Sequence, residues 1–366
     1  MVARDAFYMS QALALAQRGR GRTSPNPMVG AVVVDGEGVV VGRGLHHVAG
    51  GPHAEVYALQ DAGERARGST LYCTLEPCCH TGKTGPCAPL VVRAGIARAV
   101  IAVGDPNPLV AGRGLAHLRA HGVDVTVGVL AHAAERLNGP FFTVIRRRRP
   151  LVTLKVALSL DRKVAAGPGQ RTPLTGAAAN RLIHRDRAEV DAIAVGSGTV
   201  RTDDPLLTAR GAFRARPLTR VVFDRSLRTP PAARLLSTLE AGPVIFVCTA
   251  LPDPDRRLRR EALQAAGAIV EVVDAAGGQF LEEALSRMVA RGVTSLVLEG
   301  GPTVHRAAWQ AGVVDRLQVF TTPRRLGPEG VPWFAESELR LADLVDVRIV
   351  RLGEDLMTEG YVHGTG

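Results

Sequence analysis

The hydrophobic and polar positions in the first third of the chain change repeatedly between helical and strand spacing. Apolar positions at helical spacing over 5–18 predict an amphipathic helix. Two short apolar runs, 29–34 and 39–42, flank Asp35-Gly36 and predict a hairpin. The other predicted elements here are helices over 53–63, 87–94 and 114–121 and strands over 69–75, 98–103 and 123–127. This alternation predicts a layered α/β domain with a mixed sheet.

The rest of the chain resumes the alternation. The predicted strands cover 151–158, 191–195, 219–223, 243–248, 268–273, 294–299, 315–321 and 345–350, and the predicted helices cover 175–187 and 280–291. Gly300-Gly301-Pro302 is predicted to open a further helix. No internal repeat relates the two halves.

The best candidate for a domain boundary is 145–150, where four arginines precede a proline. A run of like charge followed by proline makes a poor core element and a good connector. We therefore expect two domains, over 1–146 and 150–366, in keeping with the length of the chain. The alternative, a solvated helix end inside a single domain, stays open.

The net charge is +10, and only three of the 45 basic residues are lysines. A nucleic-acid surface or sites for small anions would account for such an excess. The arginines are scattered, however, and aromatic residues make up only 4% of the chain, so no stacking platform is predicted. We expect a compositional bias for most arginines and no nucleic-acid partner.

Four of the five cysteines lie between Cys73 and Cys87. The apolar stretch at 12–16 is too short for the core of a secretory leader, so we expect none, and no apolar run approaches membrane-spanning length. We therefore expect a cytoplasmic protein without a membrane partner. In that reducing compartment, clustered thiols indicate metal binding or catalysis rather than disulfides.

The cluster that carries chemistry is His53-Ala54-Glu55, followed by Pro77-Cys78 and then by Cys87. Zinc deaminases combine H-x-E with P-C-x-x-C, and here the second cysteine comes nine residues after the first. A catalytic zinc takes three protein ligands and keeps one position for water. We expect His53, Cys78 and Cys87 to be those ligands. A closed structural site would need Cys79 or His80 as a fourth ligand.

Glu55 is the predicted catalytic residue. It lies two positions beyond the predicted histidine ligand, so it can lie near the activated water without binding the metal. Zinc lowers the pKa of its water towards neutrality, and a nearby carboxylate can take that proton and deliver it to the departing amine.

These residues closely resemble the bifunctional deaminase–reductase family of riboflavin biosynthesis. The matching stretches of the first half are 25–30, His46 with 49–55, 74–78, 82–87, 105–108 and 111–114. The resemblance implies a cytidine-deaminase-like three-layer α/β domain, and it accounts for the long spacing between the two cysteines as this family's own loop. It also implies that the base, ribose or phosphate of the substrate is contacted by Asn26, His46, His80, Lys83 and Asn107.

The matching stretches of the second half are 154–155, 159–161, 187, 191–200, 203–210 and 299–303. They resemble the reductase domain of the same family, which implies a dihydrofolate-reductase-like α/β fold. The resemblance implies NADPH contacts from Ala157, Thr199, Asp203, Gly301, Pro302, Thr303 and Val304. It implies substrate contacts from Arg187, Leu207, Arg210 and Glu299. A glycine turn before a helix can also direct backbone N–H groups at a pyrophosphate.

The implied function has two steps. The deaminase, with Zn²⁺, would convert 2,5-diamino-6-(5-phosphoribosylamino)pyrimidin-4-one to the uracil. The reductase, with NADPH, would then reduce the ribosyl group to a ribityl chain. The partners would be phosphorylated pyrimidines, and the family suggests a homo-oligomer built through the reductase domains.

The second half departs from the family at a few positions. Arg162 stands where the family has glycine, Arg171 and Pro173 stand in a segment that usually reads Ser-Gln-Trp, and Arg225 stands where a serine is expected. Arg162 could crowd the site, and Arg171 could supply a phosphate contact. An alternative therefore remains, in which an active deaminase carries a weakened or non-catalytic reductase domain in a specialised pathway.

Overall fold

The computed structural model describes residues 2–79, 85–250, 253–274, 279–334 and 339–362. The chain divides into two compact units, the first ending at Arg148 and the second beginning at Arg149. Among the described residues, no helix combines the length and the apolar character needed to cross a membrane.

The first unit alternates helices and strands. Its helices are α1 (Val2–Gln17), α2 (Ala54–Ala62), α3 (Cys87–Arg93), α4 (Arg113–Ala120), α5 (Ala131–Leu137) and α6 (Gly139–Arg147). Its strands are β1 (Gly30–Val34), β2 (Val40–Leu45), β3 (Thr70–Cys73), β4 (Arg98–Ile101) and β5 (Asp124–Val127).

These five strands form a mixed sheet in the order β2-β1-β3-β4-β5. The pairs of β1 with β2 and β3 are antiparallel, and β3, β4 and β5 run parallel. Alternate residues of β1 point to opposite faces: Ala31 and Val33 pack with α2 and α3, whereas Val32 and Val34 pack with α1. The predicted three-layer α/β domain is therefore confirmed.

The second unit is larger. Its helices are α7 (Ala177–Glu189), α8 (Ser197–Asp203), α9 (Pro254–Ala265), α10 (Phe280–Ala290) and α11 (Pro302–Gln310). Its strands are β6 (Leu151–Leu158), β7 (Lys163–Ala165), β8 (Ala192–Gly196), β9 (Thr219–Phe223), β10 (Val244–Cys248), β11 (Ile269–Val272), β12 (Ser295–Leu298), β13 (Arg316–Thr321), β14 (Val331–Pro332), β15 (Val345–Leu352) and β16 (Asp355–Tyr361).

Nine of these strands form one sheet in the order β11-β10-β9-β8-β12-β6-β13-β16-β15. The pairs from β11 to β13 are parallel, while β16 runs antiparallel to β13 and β15. In β8, Ala192 and Ala194 face a core that includes α10 and α11, and Ile193 and Val195 face a core that includes α8 and α9. Burial on both faces explains why the parallel strands are almost continuously apolar.

The arginine run before Pro150 is both a helix end and the place where the units divide. Arg146 and Arg147 lie in α6, and Arg148 caps this helix in the left-handed region at φ 54°. Arg149 is buried and donates two hydrogen bonds to Asp315, at 2.6 and 2.8 Å. The interpretation of the whole run as a poor core element was therefore wrong for Arg149, whose charge is compensated by a buried carboxylate.

The structure contains elements that the hydrophobic pattern did not predict, namely α5, α6, α8, α9, β7, β14 and β16. Helix α9 shows why. Leu263 is its one residue classed as buried, so its apolar stripe is too weak to stand out. Its start follows local rules, because Asp253 accepts a hydrogen bond from Arg256 N at 2.8 Å and Pro254 occupies the first turn.

Candidate active sites

His53, Cys78 and Cys87 come together from three segments of the first unit. His53 precedes α2, Cys87 is the first residue of α3, and Cys78 follows β3 in a loop. The Nδ1 atom of His53 lies 3.5 Å from Cys78 Sγ and 3.4 Å from Cys87 Sγ. All three ligand atoms lie within 4.8 Å of one another. The structure thus brings together the three residues that were predicted as metal ligands.

This geometry fits a tetrahedral zinc ion. With Zn–N and Zn–S bonds of about 2.1 and 2.3 Å, tetrahedral angles put a ligand nitrogen roughly 3.5 Å from a ligand sulfur. Among the described residues, no further His, Cys, Asp or Glu joins the group, so Cys79 does not complete a four-ligand site. One nitrogen and two sulfurs leave a fourth position for water. His80 and Lys83, predicted to contact the substrate, lie outside the described residues.

The pKa values of the Cys78 and Cys87 thiols are shifted in opposite directions. The hydrogen bond from Cys87 lowers the pKa of Cys78 to about 4, and His53 adds to this effect against the opposing influence of burial. The same hydrogen bond, together with burial, raises the pKa of Cys87. The pair therefore shares one proton, which a metal bound to both sulfurs would displace.

Glu55 lies in the first turn of α2 and is only 3% exposed. Burial raises the pKa of its carboxyl, and the neighbouring His53 opposes this shift. Glu55 does not belong to the ligand group. Its carboxyl is therefore left for proton transfer, and a raised pKa suits a group that must both take and give a proton near neutral pH.

Asn26 and His46 form a connected pair in the first unit. The Nδ1 atom of His46 lies 2.9 Å from the carbonyl oxygen of Pro52, so this nitrogen donates, and Nε2 accepts from Asn26 Nδ2 at 3.2 Å. Burial lowers the pKa of His46, which favours the neutral ring that this arrangement needs. Both ring nitrogens of His46 thus have protein partners, and the carboxamide of Asn26 is held in one orientation.

A cleft of about 1260 Å³ opens in the second unit. Pockets for drug-sized ligands measure roughly 300–1,000 Å³, so this one has room for a dinucleotide together with a second ligand. It is lined by every residue that was predicted for the reductase site: Ala157, Arg187, Thr199, Asp203, Leu207, Arg210, Glu299, Gly301, Pro302, Thr303 and Val304. These positions are spread over the sequence from 157 to 304.

A partly buried ion pair lies in the wall of the cleft, with 13% of the Arg187 side chain and 9% of the Glu299 side chain exposed. Arg187 donates through Nε and Nη2 to the two carboxylate oxygens of Glu299, at 2.8 and 2.5 Å. Burial alone would raise the pKa of Glu299, but Arg187 and Lys155 outweigh it and lower that pKa to about 2. Glu299 is therefore ionised at neutral pH and fixes the guanidinium of Arg187.

The glycine turn after β12 shapes another wall. Gly300 has a φ of 133°, which a side chain rarely tolerates. A Cβ added to Gly301 would lie 3.4 Å from Thr199 Oγ1, an ordinary van der Waals distance, so these two predicted cofactor-binding segments lie side by side. Helix α11 starts at Pro302, and the residues of its first turn line the cleft. This geometry suits the pyrophosphate of a dinucleotide.

The departures from the family pattern fall at different places. Arg171, Pro173 and Arg225 line the cleft, whereas Arg162 is absent from the described residues that line it. The charge of Arg171 acts on Asp203 and opposes the rise in pKa that burial causes there. Arg162 has a φ of 59°, the region in which glycine is preferred. The structure therefore gives no support to the expectation that Arg162 crowds the site. The effect of having arginine here is instead a backbone conformation that disfavours a side chain.

Sequence reasoning assigned no role to two further residues of the cleft. Lys155 lies in its wall, and partial removal from solvent lowers the pKa of this lysine. His184 lies one helical turn before Arg187 on α7 and accepts a hydrogen bond from Arg210 N at 3.2 Å. Spacing on α7 could have indicated His184, because residues three apart share a helix face.

Comparisons with known proteins cover both units. The family model for the cytidine and deoxycytidylate deaminase zinc-binding region matches residues 2–103, and the RibD C-terminal domain matches residues 150–358. The riboflavin biosynthesis protein RibD of Aquifex aeolicus is 40% identical, with 96% of this chain and 97% of that protein aligned. The chain belongs to the RibD family.

Solved structures of the RibD family agree in fold. Acinetobacter baumannii RibD superposes with a TM-score of 0.85 at 33% identity and covers 99% of both chains. A diaminohydroxyphosphoribosylaminopyrimidine deaminase/5-amino-6-(5-phosphoribosylamino)uracil reductase from Thermotoga maritima gives 0.82 at 30% identity, covering 98% of this chain and 99% of that one. The expected cytidine-deaminase-like and dihydrofolate-reductase-like folds are thus confirmed. The chain is a bifunctional enzyme that joins a zinc-dependent deaminase to an NADPH-dependent reductase.

Proposed function

We propose that this chain carries out two consecutive steps of riboflavin biosynthesis. It deaminates 2,5-diamino-6-(5-phosphoribosylamino)pyrimidin-4-one to the uracil and then reduces the ribosyl group to a ribityl chain with NADPH. The observation that carries the proposal is the group of His53, Cys78 and Cys87 within 4.8 Å beside the buried Glu55. The second unit of the same chain holds a cleft large enough for cofactor and substrate.

In the deamination, His53, Cys78 and Cys87 hold the zinc, which supplies an activated water when bound. Glu55 takes a proton from the attacking water at its carboxylate and delivers it to the leaving nitrogen. One C–O bond forms at the ring carbon, one C–N bond breaks, and ammonia leaves. Because Glu55 is buried, its proton is passed to the substrate rather than to bulk solvent.

Asn26 and Asn107 are proposed to bind the pyrimidine substrate. Asn26 presents a carboxamide that can pair with a base edge, and its contact with His46 holds that group in place. His46 thus acts through Asn26. His80 and Lys83 are proposed to complete the site, with Lys83 suited to the phosphate.

In the reduction, Arg187 and Arg210 are proposed to bind the phosphate, with Leu207 and Glu299 also at the substrate. Glu299 presents the guanidinium of Arg187 in a fixed orientation. NADPH would lie along Ala157, Thr199, Asp203 and residues 301–304. When bound, NADPH would supply a hydride to C1 of the ribosyl group. The bond between C1 and the ring oxygen breaks, and that oxygen takes up a proton from solvent to give the open ribityl chain.

The functional domains are proposed to cover 1–146 and 150–366. The division of the chain at Arg148 and the family matches at 2–103 and 150–358 support these limits. Phosphorylated pyrimidines are the proposed partners, in the cytoplasm, with the chain acting as a homo-oligomer. Sedimentation analysis of the purified protein tests the last point, and a single species with the mass of one chain would contradict it.

The test of the second activity uses the deaminated pyrimidine as substrate. The purified chain should oxidise NADPH only when this compound is present, with loss of the nicotinamide absorbance. Unchanged absorbance would contradict the proposed reductase activity and favour a non-catalytic second domain. The wild-type protein given the diaminopyrimidinone without NADPH should still release ammonia, which shows that the sample is active.

A further inference from the structure

A buried carboxylate next to the metal ligands accepts four backbone hydrogen bonds. Glu76, two residues before Cys78, is 3% exposed. Its Oε2 accepts from Asp105 N at 3.2 Å and Gly112 N at 3.0 Å. Its Oε1 accepts from Gly114 N at 2.9 Å and Leu115 N at 3.3 Å. These donors lie 29 to 39 residues further along the chain.

The four donors belong to two connected structures. Asp105 and Gly112 bracket the loop that carries Asn107, a proposed substrate residue. Gly114 and Leu115 lie in the first turn of α4, whose N-terminal N–H groups have no partner inside the helix. One carboxylate therefore holds both ends of the Asn107 loop and caps the helix that follows it.

The loop is also ordered from within. Asp105 Oδ1 accepts from Asn107 N at 2.8 Å, and Asn107 Oδ1 accepts from Leu109 N at 3.1 Å. Helix α4 packs directly on the loop that carries Pro77 and Cys78, here called the metal loop. A Cβ added at Gly114 would fall only 2.0 Å from the carbonyl oxygen of Pro77. The position of the Asn107 loop is thus tied to the residue immediately before Cys78.

We propose that Glu76 is a positioning residue for the deaminase, which fixes the Asn107 loop relative to the metal ligands. The inference rests on the proposed function for the role of Asn107. The carboxylate is required because its two oxygens offer about four acceptor positions. A glutamine of the same shape has one oxygen and would direct an NH₂ group at two of the four backbone N–H groups.

The test compares Glu76→Gln with Asp5→Asn. Asp5 is a matched control, because it is a carboxylate of the same unit, is 4% exposed and bonds Tyr72 and Arg98 away from the site. For Glu76→Gln we expect the KM of deamination to rise on the order of tenfold, with a smaller change in kcat and with zinc content kept. Asp5→Asn should leave KM unchanged even if its Tm falls. NADPH oxidation in both variants reports that the second unit is folded.

Hydrogen exchange supplies a readout that does not depend on activity. Amides in the peptide 104–116 should exchange faster in Glu76→Gln than in wild type, and Asp5→Asn should not show this change. Unchanged exchange, or a KM equal to that of wild type, would overturn the inference. Loss of zinc with an unchanged KM for the remaining active fraction would overturn it too, since Glu76 would then only support the metal loop. If the wild-type protein released no ammonia, the proposed function would fail, and exchange alone would decide the role of Glu76.

Discussion

At the scale of single residues, burial sets the chemistry of both sites. Burial raises the pKa of the Glu55 carboxyl, whereas at Glu299 the charges of Arg187 and Lys155 outweigh the effect of burial and lower the pKa. One carboxyl is therefore suited to carry a proton, and the other is suited to hold a cation. The sequence could predict the first role from the H-x-E spacing. It could not predict the Arg187–Glu299 pair, because the partners lie 112 residues apart.

The Arg187–Glu299 pair predicts how the stability of the second unit depends on pH. The pKa of Glu299 falls from 4.5 when unfolded to about 2 when folded, so its contribution is complete above the unfolded value and is lost as pH falls through the folded value. Between pH 5 and pH 3, this group should remove about 2 kcal/mol of unfolding free energy. Glu299→Gln should lack that loss.

Urea unfolding followed by tryptophan fluorescence measures this effect. The chain has two tryptophans, Trp309 and Trp333, and both belong to the second unit. The control is Glu283→Gln, which removes an exposed pair with Arg287 and should keep the wild-type pH dependence, since such pairs contribute little. Parallel pH profiles for wild type and Glu299→Gln would contradict the assignment of this carboxylate as ionised.

At the scale of elements, local signals predicted most helices and strands, and they failed where tertiary packing decides. Helix α2 was predicted from its pattern and its glycine stop, and it ends at Ala62, before Gly63. Strand β16 was not predicted, although it lies between β13 and β15 in the sheet. The Asn107 loop was expected to bind substrate, but its support by Glu76 depends on contacts between distant segments.

The turn between β6 and β7 carries a conformational cost that can be measured. Arg162 has a φ of 59° there, and a non-glycine residue in this region costs roughly 1–2 kcal/mol. Arg162→Gly should therefore be more stable than Arg162→Ala by about 1 kcal/mol. Both variants remove the arginine side chain beyond Cβ, but only glycine also removes the Cβ that disfavours a positive φ. Urea unfolding of the second unit measures the difference, and equal midpoints would show that the turn is not strained.

At the scale of the whole molecule, two chemistries are encoded in one chain. Their order could be read from the sequence, because the zinc motif precedes the glycine-rich turn at 300–301. Family matches at 2–103 and 150–358 agree with this order. The departures at Arg171, Pro173 and Arg225 line the cleft without closing it, since a volume of about 1260 Å³ remains. No observation favours the alternative of a weakened reductase.

The central claim is that Glu55 serves only the first of two coupled steps, and one measurement tests it directly. The wild-type chain and Glu55→Gln, both with full zinc content, are each given the diaminopyrimidinone and NADPH. Wild type should release ammonia and oxidise NADPH in equal amounts. Glu55→Gln should release ammonia and oxidise NADPH at no more than roughly a hundredth of the wild-type rate. When it is supplied with the deaminated pyrimidine, it should oxidise NADPH at the full wild-type rate. Two results would contradict these roles. The first is NADPH oxidation by Glu55→Gln when it is given the diaminopyrimidinone. The second is the absence of NADPH oxidation by either protein when it is given the deaminated pyrimidine.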